Sequence, residues 1–250
     1  MQSKADPCCY FEHDADGQLT SAVGVHTEDL LHIFRKDHDD AADFRCRLVS
    51  RFDKLKQLKG DNIMHLGLCL NRQPDGSVHI HQSHYVEQIL GDRPPAARPV
   101  HTPMEEWYPT LVDKGAPLST ARASVYNSRL AELLWATNTR VHLKDAVSVL
   151  CEANADTGTE DWDALERVMD YLHSHPSGAI VMRSGGTTEV VLAADASFAS
   201  QKNFRSRSGF VVSLRGTGTV AFGSRAQSSV AVSTTDAELN AQIDGLRCAL

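Results

Sequence analysis

The stretch "TEVVLAADASF", residues 188–198, carries a nearly unbroken apolar run at 190–194 that ends on a carboxylate, Asp195. Its length and β-branched start predict a strand covered on both faces, with Val191, Ala193 and Asp195 sharing one side. A carboxylate at the end of a covered strand is costly unless it is paired, hydrogen-bonded or holding a cation. On this residue alone, a turn hydrogen bond and a bound metal ion are both open.

Working outward, "SGFVVSL" (208–214) and "GTVAFGSR" (218–225) read as two further strands joined by polar and glycine-containing segments. "AVSTTDAELNAQIDGL" (231–246) then reads as a helix, with "STT" as its hydroxyl cap and Asp236 suited to the positive end of the helix dipole. Leu239, Ile243, Leu246 and Leu250 recur at spacings of four, three and four, which predicts an apolar stripe packing this helix. Three strands followed by a helix make the start of an α/β layer unit.

Glu238 differs from Asp236 because Asp195 precedes it. Two hard oxygen donors from separate elements suit magnesium or manganese, and two such ions about 4 Å apart activate water and stabilise the leaving oxygen in phosphodiester hydrolysis. A two-metal centre normally needs more than two carboxylates. Between these acids, residues 196–227 hold Lys202, Arg205, Arg207, Arg215 and Arg225 with no acidic residue. That local basic field suits phosphate contacts, set against the plainer reading of a solvated loop. A second acid pair, Glu28 and Asp29, follows the strand-like "AVGV". It fits a palm-like metal site for phosphoryl transfer or, more simply, surface acids in a turn.

The bulk numbers bound these readings. The 250 residues, 42% hydrophobic, suffice for one large domain or two ordinary ones, and the net charge of -7 gives no chain-wide bias toward nucleic acid or anionic membrane. Six cysteines, at 8, 9, 46, 69, 151 and 248, lack the paired spacing of a zinc site and read as buried free thiols in a reducing compartment. With no membrane-length apolar run and no signal-peptide segment, an intracellular location, cytoplasmic or nuclear, without a membrane partner is expected.

The remaining elements read as an antiparallel pair at 7–12 and 19–26, and a helix with a looser continuation between Asp37 and Gly60. A strand, turn and strand follow from 62, with a short helix at 83–90 closed by Gly91. After a proline-rich crossing, two helices lie within 123–151 and another in "DWDALERVMDYL". His79, His81 and His84 have strand geometry compatible with zinc but no cysteine or carboxylate clustered nearby.

In this order the segments resemble the C-terminal part of a copia-type retrotransposon Pol polyprotein. "DPCCYFEHDADGQLTSAVGVHTEDLL" resembles the strand, turn and strand leading into the family's Tyr-Val-Asp-Asp polymerase motif, and "LVSRFDKLKQLKGDNIMHLGLCLNRQPDGSVHIHQSHYVEQIL" resembles the segment after it. "HTPM", "YNSRLAELLWATNTR" and "DWDALERVMDYL" are similar to the blocks that follow. "AADASFAS", "RSRSGFVVSLRG", "VAFGSRAQ" and "VSTTDAELNA" are similar, in order and spacing, to the family's ribonuclease H blocks.

The resemblance implies an α/β (α+β) chain: a partial reverse transcriptase palm and thumb (1–103), a helical connection (104–185) and an incomplete ribonuclease H-like α/β fold (186–250). It implies Asp195 and Glu238 as catalytic metal ligands for Mg2+ or Mn2+, with Asp236 a bystander. Glu28 and Asp29 would stand at the polymerase site. The implied partners are an RNA–DNA hybrid or template-primer and the remainder of the polyprotein.

The departures are specific. The polymerase motif stands here as His26-Thr27-Glu28-Asp29, and the family's Thr-Arg-Pro-Asp as Thr139-Arg140-Val141-His142. The other palm aspartate and the next ribonuclease H aspartate would fall outside these residues. A fragment or decayed remnant, inactive by itself, is therefore expected, with a non-enzymatic nucleic-acid-binding or scaffolding remnant as the rival reading.

Overall fold

The computed structural model describes residues 1–35, 40–52, 54–108, 113–153, 156–201 and 203–249. The chain is α+β, with three antiparallel sheets, and it divides into two compact units, Met1–Leu68 and Cys69–Leu250.

In the first unit, β1 (Cys9–His13), β2 (Leu19–His26) and β3 (Asp29–Phe34) form an antiparallel meander. The connection at 14–18 closes because Asp14 Oδ1 accepts from the amides of Asp16 (3.1 Å) and Gln18 (2.8 Å), the local aspartate bonding expected of a turn. β2 and β3 are joined by the shortest common hairpin, His26 pairing with Asp29 across Thr27 and Glu28. Thr27 takes a positive φ of 50° there. The sequence anticipated two of these strands; β3 is additional. α1 (Asp40–Arg51) follows, then residues 54–59 without regular structure and the short β4 (Asn62–His65). The expected starting caps Asp37 and Asp39 lie outside the described residues.

In the second unit, β5 (Leu68–Arg72) and β6 (Val78–His81) turn through 74–77, where Asp75 Oδ1 accepts from the Ser77 amide (2.9 Å) and hydroxyl (2.7 Å). α2 (Ser83–Leu90) ends at Gly91, whose φ of 50° is the left-handed stop that glycine permits. α3 (Thr120–Ala136), α4 (Lys144–Glu152) and α5 (Thr159–Ser174) close around Tyr126, Leu133, Leu150, Leu165 and Leu172. Fully buried Tyr126 keeps its hydroxyl bonded to the Leu150 carbonyl at 3.1 Å. α5 begins two residues before the segment read from sequence. Buried Asp161 takes a bond from the Gly158 amide (2.8 Å), another from the Tyr108 hydroxyl (2.5 Å) and an ion pair with Lys114 (3.3 Å). These four residues pin the loop before α3 to the start of α5.

Arg140 is fully buried without a carboxylate partner among the described residues. Its guanidinium donates to the carbonyls of His175 (2.7 Å) and Pro176 just past α5, where the helix dipole favours a cation. β7 (Ile180–Met182), too short to leave a sequence signal, then pairs antiparallel with β6.

The last sheet has the order β10 (Gly218–Ala226), β9 (Arg207–Leu214), β8 (Val190–Ser197), and α6 (Thr234–Ala249) lies against β8 and β9. Two expectations fail here. β8 is an edge strand, not a central one, and none of its residues is fully buried. The packed face of α6 is Ala237, Ala241 and Gly245, whereas Leu239 (54%), Ile243 (37%) and Leu246 (50%) are exposed and Leu250 lies outside the described residues. The reason is close approach: a Cβ on Gly245 would sit 2.5 Å from Leu192 Cδ1 and 3.1 Å from Phe210 Cβ. Small residues at i, i+4 and i+8 let the helix axis lie near the sheet, and the larger residues fall on the opposite side. The six cysteines are free as expected, but three are exposed and none is fully buried. Cys8 precedes β1, Cys46 lies on the outer side of α1 and Cys248 in the last turn of α6.

Candidate functional site

α6 is started by a reciprocal cap. Ser233 Oγ accepts from the Asp236 amide (3.1 Å), and Asp236 Oδ2 accepts from the Val232 amide (3.0 Å). Asp236 is thereby committed to the helix end. Gln227, buried at the end of β10, donates to Ser208 Oγ (3.1 Å) and to the Ala237 carbonyl (2.8 Å), tying the first turn of α6 to the sheet.

Strand register locates Asp195. It lies opposite Gly209, on the face that also carries Ser197, Arg207 and Ser224, while Leu192 and Phe210 on the other face meet α6. Asp195 is exposed on the open edge strand. Helix geometry locates Glu238. Asp244 and Asn240 mark the flank of α6 toward β10, bonding Arg225 and Gln227, and at 3.6 residues per turn Glu238 falls on the opposite flank, toward β8. The two carboxylates bracket the β8 edge, one from each layer. Among the described residues, no group of three or more His, Cys, Asp or Glu side chains could hold a metal ion. That includes the strand histidines: His79 and His81 lie opposite Asn71 and Cys69, and His81 Nδ1 is bonded to Ser83 Oγ at 2.9 Å.

The basic segment behaves differently from its charge count. Arg207 is buried under α4, with Nε on Asp145 (3.1 Å), Nη1 on Glu152 (2.5 Å) and Nη2 on Ser148 (2.8 Å) and Ser224 (3.2 Å). Arg215 is held by both oxygens of Glu189 (2.6 and 2.7 Å). Arg225 pairs with Asp244. Burial pushes the Asp244 carboxyl up, but bonds from Arg225 and Ser208 and the charges of Arg225 and Arg247 outweigh it, leaving the group below the usual carboxylate range. Arg205 is exposed and has no ion pair among the described residues, and Lys202 lies outside them. Three of the four described cations are therefore engaged by acids of this chain. Asp145 and Glu152, the partners of Arg207, lie more than fifty residues away and gave no signal in the sequence.

Glu28 and Asp29 stand exposed at the β2–β3 hairpin. They belong to the first unit and Asp195 and Glu238 to the second. No helix of the described residues is long and apolar enough to cross a membrane.

A carboxylate strand followed by two antiparallel strands and a carboxylate-bearing helix is the arrangement implied for a retroelement polyprotein, and comparison with known proteins bears on that class. The chain is similar over most of its length to retrovirus-related Pol polyproteins of retrotransposons. It is 26% identical over 250 residues, 95% of this chain and 18% of the relative, to the retrovirus-related Pol polyprotein from transposon TNT 1-94 of Nicotiana tabacum. It is 29% identical over 175 residues, 69% of this chain and 12% of the relative, to the corresponding polyprotein from transposon RE2 of Arabidopsis thaliana. The secreted RxLR effector protein 161 of Plasmopara viticola is 37% identical over 101 residues, 40% of this chain and 70% of that protein. The chain thus spans less than a fifth of the length of the two Pol relatives. No protein-family model and no solved structure matches it.

Proposed function

We propose that the chain is a segment of a copia-type Pol polyprotein joining the end of a reverse transcriptase palm, a helical connection and the first part of a ribonuclease H domain. The parent would synthesise DNA on an RNA template and hydrolyse RNA in RNA–DNA hybrids. The observation that carries this reading is the similarity to a Pol polyprotein along 95% of the chain; Asp195 on β8 and Glu238 on α6 stand on adjacent elements of one unit, with Asp195 on the sheet face away from α6. The Thr27–Glu28 hairpin, which sets Glu28 and Asp29 between two paired strands, supports the palm assignment.

Two carboxylates supply the hard oxygens that magnesium or manganese prefers, but not the full set a two-metal centre needs. The residues described here therefore do not fit a complete metal site, and the parent polyprotein would supply the other ligands. On this reading Asp195 and Glu238 contribute fixed negative charge at an open strand edge. The 250-residue chain alone is expected to show no polymerase activity and little or no hydrolysis.

The test is hydrolysis by a longer chain of the same polyprotein. It should cut the RNA strand of a labelled hybrid only when magnesium or manganese is added, and Asp195→Asn should abolish the cut. Equal cleavage by Asp195→Asn, or no cleavage by the longer chain, would refute the assignment.

A further inference from the structure

The two edges of the last sheet are unlike. β10 is bulged between Thr219 and Ala221, and its start is closed against β7, where a Cβ on Gly218 would lie 2.3 Å from the Val181 carbonyl oxygen. β8 runs from Val190 to Ser197 in unbroken register with β9, without proline, glycine, lysine or bulge, and Asp195 is its one charge. Folded chains ordinarily blunt a sheet edge with one of those devices or cover it. Among the described residues no strand pairs with the outer side of β8, so its outward amides and carbonyls form half of a ladder.

We propose that β8 is a self-association edge: two copies of this chain pair antiparallel through β8 about a two-fold axis at Ala194, making one six-stranded sheet from two of three strands. The strand is complementary to itself in that register. Ala194 meets its own copy, Leu192 meets Ala196, Val191 meets Ser197 and Asp195 meets Ala193, so no acid faces an acid. Val190, 51% exposed, meets Phe198, 42% exposed and one residue past the strand, and the two cover each other at both ends of the seam. The net charge of -7 opposes association of copies, and a seam free of like-charge pairs adds nothing to that repulsion. The helices agree with this register. α6 lies over β8 and β9, so strands spaced about 4.8 Å apart bring the two α6 axes to about 10 Å where they pass the two-fold, a distance at which helices pack. Gly245 sits over Leu192 and Phe210, which places the exposed, neutral Gln242, one turn on from Glu238, nearest the axis. The proposal does not depend on the Pol reading.

The experiment is sedimentation velocity of the 250-residue chain from low to high micromolar concentration, where a monomer–dimer equilibrium is expected. Ala193 is exposed and faces the second copy's Asp195 in the proposed register. Ala193→Asp sets two like-charge pairs across the seam and should weaken dimerisation on the order of tenfold, whereas Ala193→Lys sets two opposite-charge pairs and should leave the dimer at least as tight. Val190→Ser removes the contact with Phe198 without a change of charge and should also weaken it, so the register is tested even where one variant fails to fold by circular dichroism. A wild-type chain that stays monomeric throughout, as an edge reserved for a strand from elsewhere in a longer polyprotein would give, overturns the proposal. So do open-ended aggregates in place of a dimer, an equal response to Ala193→Asp and Ala193→Lys, or a Val190→Ser dimer as tight as wild type. Hydrolysis by the longer chain is read through Asp195→Asn, so failure there leaves this result standing and the converse also holds.

Discussion

Arg207 and its acids should respond unequally to removal. The arginine side chain is 5% exposed, whereas Asp145 and Glu152 are 64% and 42% exposed. In Arg207→Met the two carboxylates are left where water already reaches them, and methionine refills much of the volume, so the cost is the net worth of a few charge-assisted bonds, about 1–2 kcal/mol. In Asp145→Ala/Glu152→Ala a guanidinium remains buried between Ser148 and Ser224 with no counter-charge, and breaking a buried pair in that direction costs about 3–5 kcal/mol. Urea unfolding followed by tryptophan fluorescence measures both, since Trp107, Trp135 and Trp162 all lie in the second unit. If Arg207→Met costs as much as the double variant, then burial of the arginine is not what sets the energetics of this tie, and the reasoning fails.

Two further outcomes follow from α6. Leu239→Ser and Leu246→Ser should each change stability by less than about 0.5 kcal/mol, whereas Ala241→Leu on the packed face should cost about 1–3 kcal/mol, both read from urea midpoints. Asp244 titrates below the ordinary carboxylate range when folded, so its contribution is present above an unfolded value near pH 4 and is lost as pH falls through the lower folded value. The stability difference between wild type and Asp244→Asn should therefore be constant near neutrality and shrink only in acid; a difference that grows on acidification would contradict the Arg225 pairing.

Hydrophobic period located α2, α5 and the strands of the last sheet because each carries a repeat of large apolar residues. The same rule misjudged the packed face of α6. It weights large side chains, while a helix lying close to a sheet selects alanine and glycine. It also read β8 as central: an apolar run of small residues such as Ala193 and Ala194 looks alike whether a strand is flanked on one side or two. Charge counting singled out residues 196–227, but the acids that engage Arg207 and Arg215 lie outside that segment. The sequence pairs Asp195 and Glu238 as acids on a strand and a helix of one layer unit, and resemblance adds their assignment as metal ligands; no spacing in sequence tells which face of β8 Asp195 takes.

Arg140 bears on which substitutions this chain can accept. Its guanidinium reads main-chain oxygens, so the bond to residue 176 is indifferent to which side chain stands there. Position 178 is not indifferent: a Cβ on Gly178 would lie 2.9 Å from Arg140 Cδ and Nη1. Substitution of Arg140 by lysine would keep the charge but lose the planar fork that reaches two carbonyls at once. Along the exit from α5, the permissible sequence is narrow at 140 and 178 and open at 176, a pattern of constraint set by backbone recognition and independent of any catalytic role.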